Sequence, residues 1–121
     1  MDNSLKISVV IPTRNRPEDL ADLLSTLLNQ DHLPLEVLII DDSEEDSTKR
    51  VTDLFKPDFE AVGCKLKYVK GNCDGLPAAR NLGVKISRGN LILFLDDDIL
   101  LLDKNTIKSI VTFFEKKILK H

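Results

Sequence analysis

The feature that most constrains the fold is an alternation of short apolar segments with longer amphipathic ones. Residues 7–11 are β-branched and almost wholly apolar, which is typical of a strand buried on both faces. Further strand-like segments follow at 35–40, 65–70 and 91–95. Helical patterns separate them, which predicts βαβ units, a parallel sheet and right-handed crossovers. The expected fold class is therefore α/β, with an open, mostly parallel, Rossmann-like sheet and helices on both faces.

Local signals indicate where the first elements end and begin. Pro12 is expected to stop the first strand. Asn15 is a possible helix cap, Pro17 suits a first helical turn, and acidic residues follow it. One apolar stripe then predicts an amphipathic helix, formed by Leu20, Leu23, Leu24, Leu27 and Leu28.

The remaining elements are predicted in the same way. A second helix is expected near 47–55, with Val51, Leu54 and Phe55 inward. The mixed composition of 65–70 suggests an edge strand, whereas 91–95, the most apolar segment, is predicted to be central.

Two further helices complete the pattern. Pro77 is expected to open the third helix, one face of which carries Ala79, Leu82, Gly83 and Ile86. The fourth is expected to follow Asp103 or Asn105, and its apolar stripe consists of Ile107, Ile110, Val111, Phe114 and Ile118.

Length and charge narrow the classes of protein that fit. With 121 residues the chain is expected to form a single domain over 1–121. The net charge of −3 argues against a nucleic-acid surface. Cys64 and Cys73 form no C-x-x-C pair, so free thiols are expected rather than a zinc site. No apolar stretch approaches the roughly 20 residues of a membrane span and no targeting signal is visible. A cytoplasmic chain is expected, with peripheral membrane association left open.

Polar residues follow each predicted strand. Because parallel strands end at one edge of a sheet, and ligands of such sheets bind there, these groups are expected to converge on one rim. They are residues 13–16, 41–42, 72–75 and 96–98.

Five carboxylates are expected at two of the strand ends on this rim: Asp41, Asp42, Asp96, Asp97 and Asp98. Like charges this close raise one another's pKa or require a cation. Hard oxygens suit Mg²⁺ or Mn²⁺, which commonly take their other ligands from substrate phosphates. The chain lacks a G-x-x-x-x-G-K-[ST] loop and a G-x-G-x-x-G turn, which disfavours P-loop hydrolases and dinucleotide enzymes. A di- or triphosphate bound through a metal, helped by Arg80, is the expected ligand.

Four segments in this order resemble the family 2 glycosyltransferases, which have the GT-A fold. Residues 9–16 (VVIPTRNR) resemble the opening strand and base-binding loop, and 39–42 (IIDD) resemble the acidic turn. Residues 75–83 (GLPAARNLG) resemble the G-x-x-x-A-R-N-x-G helix, and 94–98 (FLDDD) resemble the D-x-D element. The resemblance covers nearly the whole chain. It is specific because all four segments occur together, in the family's order and at the expected spacing.

The resemblance implies a role for each matching position. Thr13 and Asp42 would contact the nucleotide base, and Arg80 would lie near the donor phosphates or sugar. Asp96 would lie near the ribose, and Asp98, with Asp96, would hold Mn²⁺ or Mg²⁺ at the diphosphate. The implied donor-binding residues are Pro12, Thr13, Arg14, Asn15, Asp42, Arg80, Asp96 and Asp97. The ligand would be a UDP- or GDP-type sugar, transferred to an acceptor hydroxyl with inversion.

Two departures from the family pattern keep alternatives open. Ser43 and Glu44 stand where the family often has Gly and Ser. The family also needs a second half with the acceptor site and catalytic base, so a truncated chain is expected and no catalytic base is named. The alternatives are a non-catalytic nucleotide-sugar-binding module, an aspartate-dependent phosphatase and a phosphate-receiver domain. The apolar stripe of the last helix is expected to be partly exposed, favouring self-association or a covering partner.

Overall fold

The computed structural model describes residues 5–119, in which four strands alternate with four helices. In chain order these are β1 (Ile7–Thr13), α1 (Pro17–Leu28), β2 (Glu36–Asp41), α2 (Ser47–Ala61), β3 (Lys65–Lys70), α3 (Leu76–Ile86), β4 (Leu91–Phe94) and α4 (Thr106–Leu119). The strands form one sheet in the order β3-β2-β1-β4, and all three pairings are parallel. The predicted α/β fold with an open parallel sheet is confirmed.

Helices cover both faces of the sheet. Side chains of β1 alternate between two apolar clusters, as strand geometry requires: Val9 faces the larger cluster and Val10 the smaller. The larger cluster contains residues of α1, α2 and α4, whereas Ala79 of α3 packs in the smaller one. Every residue of β2 is buried. The sheet is therefore the middle layer of the structure, and its carboxyl edge is where the loops that could bind a ligand gather.

Pro12 lies within β1 rather than ending it, so the predicted stop is wrong by two residues. The carbonyl of Val10 accepts from the β4 side of the sheet, from Leu95 N at 3.0 Å. Pro12, two residues on, has the same orientation. The β4 ladder ends at Val10, so the missing N–H of Pro12 would have met no partner there.

The prediction that β4 is central is wrong among the described residues, because β4 pairs only with β1 at one end of the sheet. Its strongly apolar sequence has another cause. Leu91 and Leu93 pack against the larger cluster, and Ile92 packs against the smaller. Apolar residues on both faces of β4 reflect partial burial against both clusters, which an edge strand can have as well. The predicted edge position of β3 is confirmed.

The start of α1 differs from the prediction at its cap. Pro17 and two acidic residues occupy the first turn as expected, but the residue before the helix is Arg16 and no side chain caps it. Asn15 instead has a φ of 56°, a left-handed conformation that Asn tolerates better than most residues. Its N–H donates to the Ser43 hydroxyl at 2.7 Å. Asn15 thus ties the loop after β1 to the loop after β2.

Helix α2 runs six residues beyond its predicted end at 55, with Pro57 inside it. Phe59, fully buried in the larger cluster, explains the extension. Val51 and Phe55 pack inward as predicted, but Leu54 is 76% exposed and its predicted inward position is wrong. The side of α2 that packs against the core is the side that carries Phe59, and Leu54 does not lie on it.

The last helix shows the partial exposure that its stripe predicted. Ile107 and Val111 are buried, whereas Phe114 and Ile118 are exposed. Both cysteines are free, as expected. Within the described residues no helix combines the length and the apolar character that a membrane span needs.

Candidate functional site

A cleft of about 520 Å³ opens at the carboxyl edge of the sheet, where β1, β2 and β4 end beside the start of α3. It lies where ligands of parallel sheets are expected. Its lining residues are Pro12, Thr13, Arg14, Arg16, Asp42, Gly75, Leu76, Ala79, Asp96, Asp97 and Asp98. Carboxylates and guanidinium groups thus share one cleft with a small apolar wall from α3.

Asp97 is the most buried member of the acidic triplet. Its Oδ2 accepts a hydrogen bond of 2.9 Å from the Thr13 hydroxyl, and its Oδ1 lies 3.6 Å from Nη1 of Arg16. Burial raises the pKa of the Asp97 carboxyl, against the lowering effect of Thr13 and Arg16. The protein therefore keeps a buried carboxylate at the end of β4 that its neighbours only partly stabilise.

Asp96 and Asp98, on either side of Asp97, are open to solvent. Their side chains are 71% and 55% exposed. A guanidinium group stands near each: Arg80 Nη2 is 4.0 Å from Asp96, and Arg16 Nη1 is 3.5 Å from Asp98. These exposed pairs contribute little stability.

The carboxylate oxygens of Asp96 and Asp98 fit a hard divalent cation. No group of three metal-ligating side chains occurs within residues 5–119. Mg²⁺ and Mn²⁺ commonly need only one or two protein carboxylates when phosphate oxygens and water supply the other ligands. Asp98 and Asp96 offer such a pair on the cleft surface.

The two carboxylates that follow β2 have different surroundings. Asp41 is fully buried, and its two oxygens accept from the Tyr68 hydroxyl at 2.7 Å and from the Ser43 amide at 2.9 Å. Burial, and then the bond to Asp41, raises the pKa of Tyr68. Asp42 lines the cleft instead, and its Oδ1 accepts from the Cys73 amide at 3.1 Å. Asp41 holds the fold together, whereas Asp42 faces the space where a ligand would bind.

Arg80 lies beside the cleft rather than in its lining. Its guanidinium carbon is 5.9 Å from the centre of the Phe94 ring. Its Nε is buried and has no hydrogen-bond partner among the described residues. A buried, unpaired donor costs free energy, so the position of the Arg80 side chain beside the cleft carries a cost that no contact among the described residues offsets.

The structure brings most of the predicted donor-binding residues to the cleft lining, and two lie outside it. Asn15 contacts Ser43 through its main chain, and Arg80 reaches the cleft only through Asp96. The predicted set omitted four lining residues: Arg16, Gly75, Leu76 and Ala79. Arg16 belongs to the polar group after β1, and the other three begin α3 on the same edge. Position after a strand was therefore a signal for Arg16 and Gly75, whereas Leu76 and Ala79 come from the first turn of α3.

Comparison with known proteins assigns the chain to one family. Residues 8–118 match the family model described as glycosyl transferase family 2. An uncharacterized glycosyltransferase of Rickettsia conorii is 39% identical over 107 residues, which is 88% of this chain and 17% of that protein. The chain is also similar to TarS of Staphylococcus aureus, named a poly(ribitol-phosphate) beta-N-acetylglucosaminyltransferase.

Two crystal structures of TarS 1-349 share the fold. The complex with UDP superposes with a TM-score of 0.77 at 29% identity, and covers 93% of this chain and 32% of the TarS chain. The complex with UDP-GlcNAc superposes with a TM-score of 0.72 at 28% identity, with the same coverage. This chain thus spans less than a fifth of the rickettsial relative and about a third of TarS 1-349.

Proposed function

Since this chain belongs to glycosyltransferase family 2, we propose that it is a single domain that binds the nucleotide-diphosphate sugar donor of such an enzyme. The observation that carries the proposal is the cleft, which gathers the loop after β1, Asp42 and the acidic triplet at one edge of the sheet. The relatives crystallised with UDP and UDP-GlcNAc support the same ligand class.

Within the cleft the base and the phosphates are proposed to bind at different ends. Thr13 and Asp42 would contact the base, and an ionised Asp42 can accept a base N–H in a charge-assisted hydrogen bond. Asp96 would lie near the ribose. The guanidinium groups of Arg16 and Arg80 stand beside the acidic triplet, where they could pair with phosphate oxygens.

Transfer of the sugar breaks the bond between its anomeric carbon and the diphosphate, so negative charge develops on the leaving group. A Mn²⁺ or Mg²⁺ ion held by Asp98 and Asp96 would supply electrostatic stabilisation of that charge. Asp97, fixed by Thr13, would keep the triplet in place, and Arg80 would add a donor through its Nη2, which stands 4.0 Å from Asp96. Attack by an acceptor hydroxyl from the opposite side would invert the anomeric centre.

A general base must remove the proton of the acceptor hydroxyl, and no residue of this chain is assigned that role. Transfer to an acceptor is proposed for the whole enzyme and not for this chain alone. TarS 1-349, a relative, is about three times longer than the region that this chain matches. The alternative, a non-catalytic binding module, would hold if the whole protein bound donor but transferred sugar to no acceptor.

The test is calorimetric titration of the purified chain with UDP and with GDP, each with and without Mn²⁺. We expect binding of at least one nucleotide, strengthened by the metal. Asp98→Ala should remove the metal-dependent part of the affinity, on the order of 10-fold to 100-fold, as expected for the loss of a charged contact. Asp58→Ala, an exposed acid on α2, is the matched control and should bind like the wild type.

The outcomes separate the possible functions. Equal affinity with and without Mn²⁺, or an Asp98→Ala protein that retains metal dependence, would contradict the proposed metal site. Absence of binding to both nucleotides would contradict the donor-binding function. Release of phosphate from a monoester substrate would instead favour the phosphatase alternative. Sedimentation velocity on the same samples checks for self-association through the exposed side chains of α4, Phe113, Phe114 and Ile118.

A further inference from the structure

The loop after β3 contacts Asp42, one of the two residues of the cleft that are proposed to contact the base. Two contacts reach Oδ1 of Asp42. The amide of Cys73 donates to it at 3.1 Å, and Gly71 packs so closely that a Cβ built there would overlap Oδ1 and lie 3.0 Å from Asp42 Cγ. Oδ1 is thus both hydrogen-bonded and sterically covered.

The main chain on both sides of this contact is fixed. Asp42 N donates to the carbonyl of Thr13 at 3.0 Å, and Gly71 N donates to the carbonyl of Asp41 at 2.8 Å. The ends of β1, β2 and β3 are therefore held together at this point. A group added at Gly71 would displace the short Asp42 side chain more readily than either strand end.

Oδ2 of Asp42 has a different environment. Among the described residues it accepts none of the side-chain hydrogen bonds, while its residue lines the cleft. An ionised carboxylate can accept with both oxygens, and this allows bidentate contacts. Here one oxygen is already committed, so the cleft offers a single acceptor from this side chain.

This difference matters because nucleotide bases present different edges. Guanine presents two adjacent donors, its ring N–H and its N2 amino group, which suit a carboxylate with both oxygens free. Uracil presents one N–H between two carbonyl oxygens, which suits one acceptor oxygen. We propose that Gly71 and the Cys73 amide set the base preference of the cleft by committing Oδ1 of Asp42, and that the preference is for uracil over guanine.

This inference rests on the proposed donor-binding function, and a double-mutant cycle separates the two. Gly71→Ala should move the Asp42 carboxylate and weaken UDP binding by about 10-fold to 100-fold, the loss expected for a charged hydrogen bond. Asp42→Ala should weaken UDP binding to a similar extent. In the Asp42→Ala background Gly71→Ala should change UDP affinity by less than about twofold, because residues that act through one contact are not additive.

Base discrimination is the readout that a purely structural role would not move. The ratio of UDP to GDP affinity should favour UDP in the wild type and fall towards one in Gly71→Ala and in Asp42→Ala. Lys67→Ala, an exposed position in β3, the strand that precedes Gly71, is the control and should keep the wild-type ratio. Equal weakening of UDP and GDP by Gly71→Ala, or additive losses in the double mutant, would overturn the proposal.

A second variant covers the case in which Gly71→Ala does not fold. In Asp42→Asn the carbonyl oxygen should take the Cys73 N–H, so the amino group would face the cleft and present a donor to uracil N–H. UDP affinity should therefore fall as far as in Asp42→Ala, and an unchanged affinity would overturn the inference. UDP binding that is insensitive to every Asp42 variant would overturn the base contact and this inference with it, and would leave the donor-binding function standing. No nucleotide binding by the wild type would overturn the proposed function and this inference together.

Discussion

Buried acids lie at both the amino-terminal and the carboxyl edge of the sheet, but they differ in how well hydrogen bonds stabilise their charge. At the amino-terminal edge Glu36 is 3% exposed, and its Oε2 accepts 2.7 Å bonds from the Ser8 hydroxyl and the Arg88 amide. The Gly89 amide in turn donates to Ser8 at 2.8 Å. At the carboxyl edge Asp97 has a hydroxyl and a half-exposed Arg16 at 3.6 Å, and its pKa is raised by burial.

The difference teaches how to separate structural from functional acids in this fold. Glu36 receives neutral donors from two elements of the chain and links β1, β2 and the segment before β4, so it joins parts of the fold. Asp97 instead lies at a cleft, buried and only partly stabilised by its neighbours, which costs stability unless a ligand or metal completes its surroundings.

The largest expected effect on stability follows from replacing Glu36, the hydrogen-bonded acid at the amino-terminal edge. Glu36→Ala leaves the buried Ser8 hydroxyl and the partly buried Arg88 amide without their acceptor, so the free energy of unfolding should fall by about 2–4 kcal/mol. Urea denaturation measures this, and Glu36→Gln, which keeps an acceptor oxygen, should recover part of the loss. Glu60→Ala, an exposed acid on α2, should leave stability unchanged. A loss for Glu36→Ala no larger than that for Glu60→Ala would contradict the structural role of Glu36.

A smaller effect tests the one acid of the carboxyl edge that resembles Glu36. Tyr68→Phe removes the 2.7 Å bond to Oδ2 of the fully buried Asp41 and should lower the free energy of unfolding by about 1–2 kcal/mol. UDP affinity should change by less than about threefold, because Asp41 does not line the cleft. Thr112→Val, which removes an exposed hydroxyl from α4, is the control for stability. A large loss of affinity with unchanged stability would place Asp41 with the functional acids.

Much of this arrangement could be predicted from local pattern. The alternation of strands and helices fixes a parallel sheet, and the rule that ligands bind at its carboxyl edge selects the loops that line the cleft. The strand period could also have separated Asp41 from Asp42. Successive side chains face opposite sides of a sheet, so Asp41 shares the side of Ile39 and the α1–α2 layer, whereas Asp42 does not.

Contacts between distant parts of the chain could not be predicted in this way. Arg16 and Asp97 lie far apart in sequence and meet only because β1 and β4 are neighbours. The position of β4 in the sheet was itself mispredicted, since an apolar strand can be packed on both faces at an edge. The inward position of Leu54 was mispredicted for a similar reason. The helical period of α2 allowed two packed faces, and the packing of Phe59 decides between them.

The smallest expected effect on stability is an increase, for Asp97→Asn at the carboxyl edge, whereas Glu36→Ala at the amino-terminal edge is expected to lower stability. Burial raises the pKa of Asp97 above its ordinary value of 3.8, so the folded state disfavours its charged form. Below that ordinary value both states are protonated and the cost is absent; it develops as pH rises through the folded pKa and is complete at neutral pH. Asp97→Asn keeps an oxygen for Thr13 and removes the charge. Its thermal midpoint should therefore exceed the wild type's at pH 7, and the difference should disappear towards pH 3.

The same variant should bind UDP several-fold more weakly, because a stabilised protein with reduced binding is the expected signature of an acid kept for function. Asp98→Asn is the matched control for stability, since it removes a charge of the same sign from an exposed neighbour and should leave the midpoint nearly unchanged. A lower midpoint for Asp97→Asn at pH 7, as expected for variants of Glu36, would mean that Asp97 also holds the fold together. The contrast between the two edges would then be one of position alone, because both buried acids would stabilise the sheet.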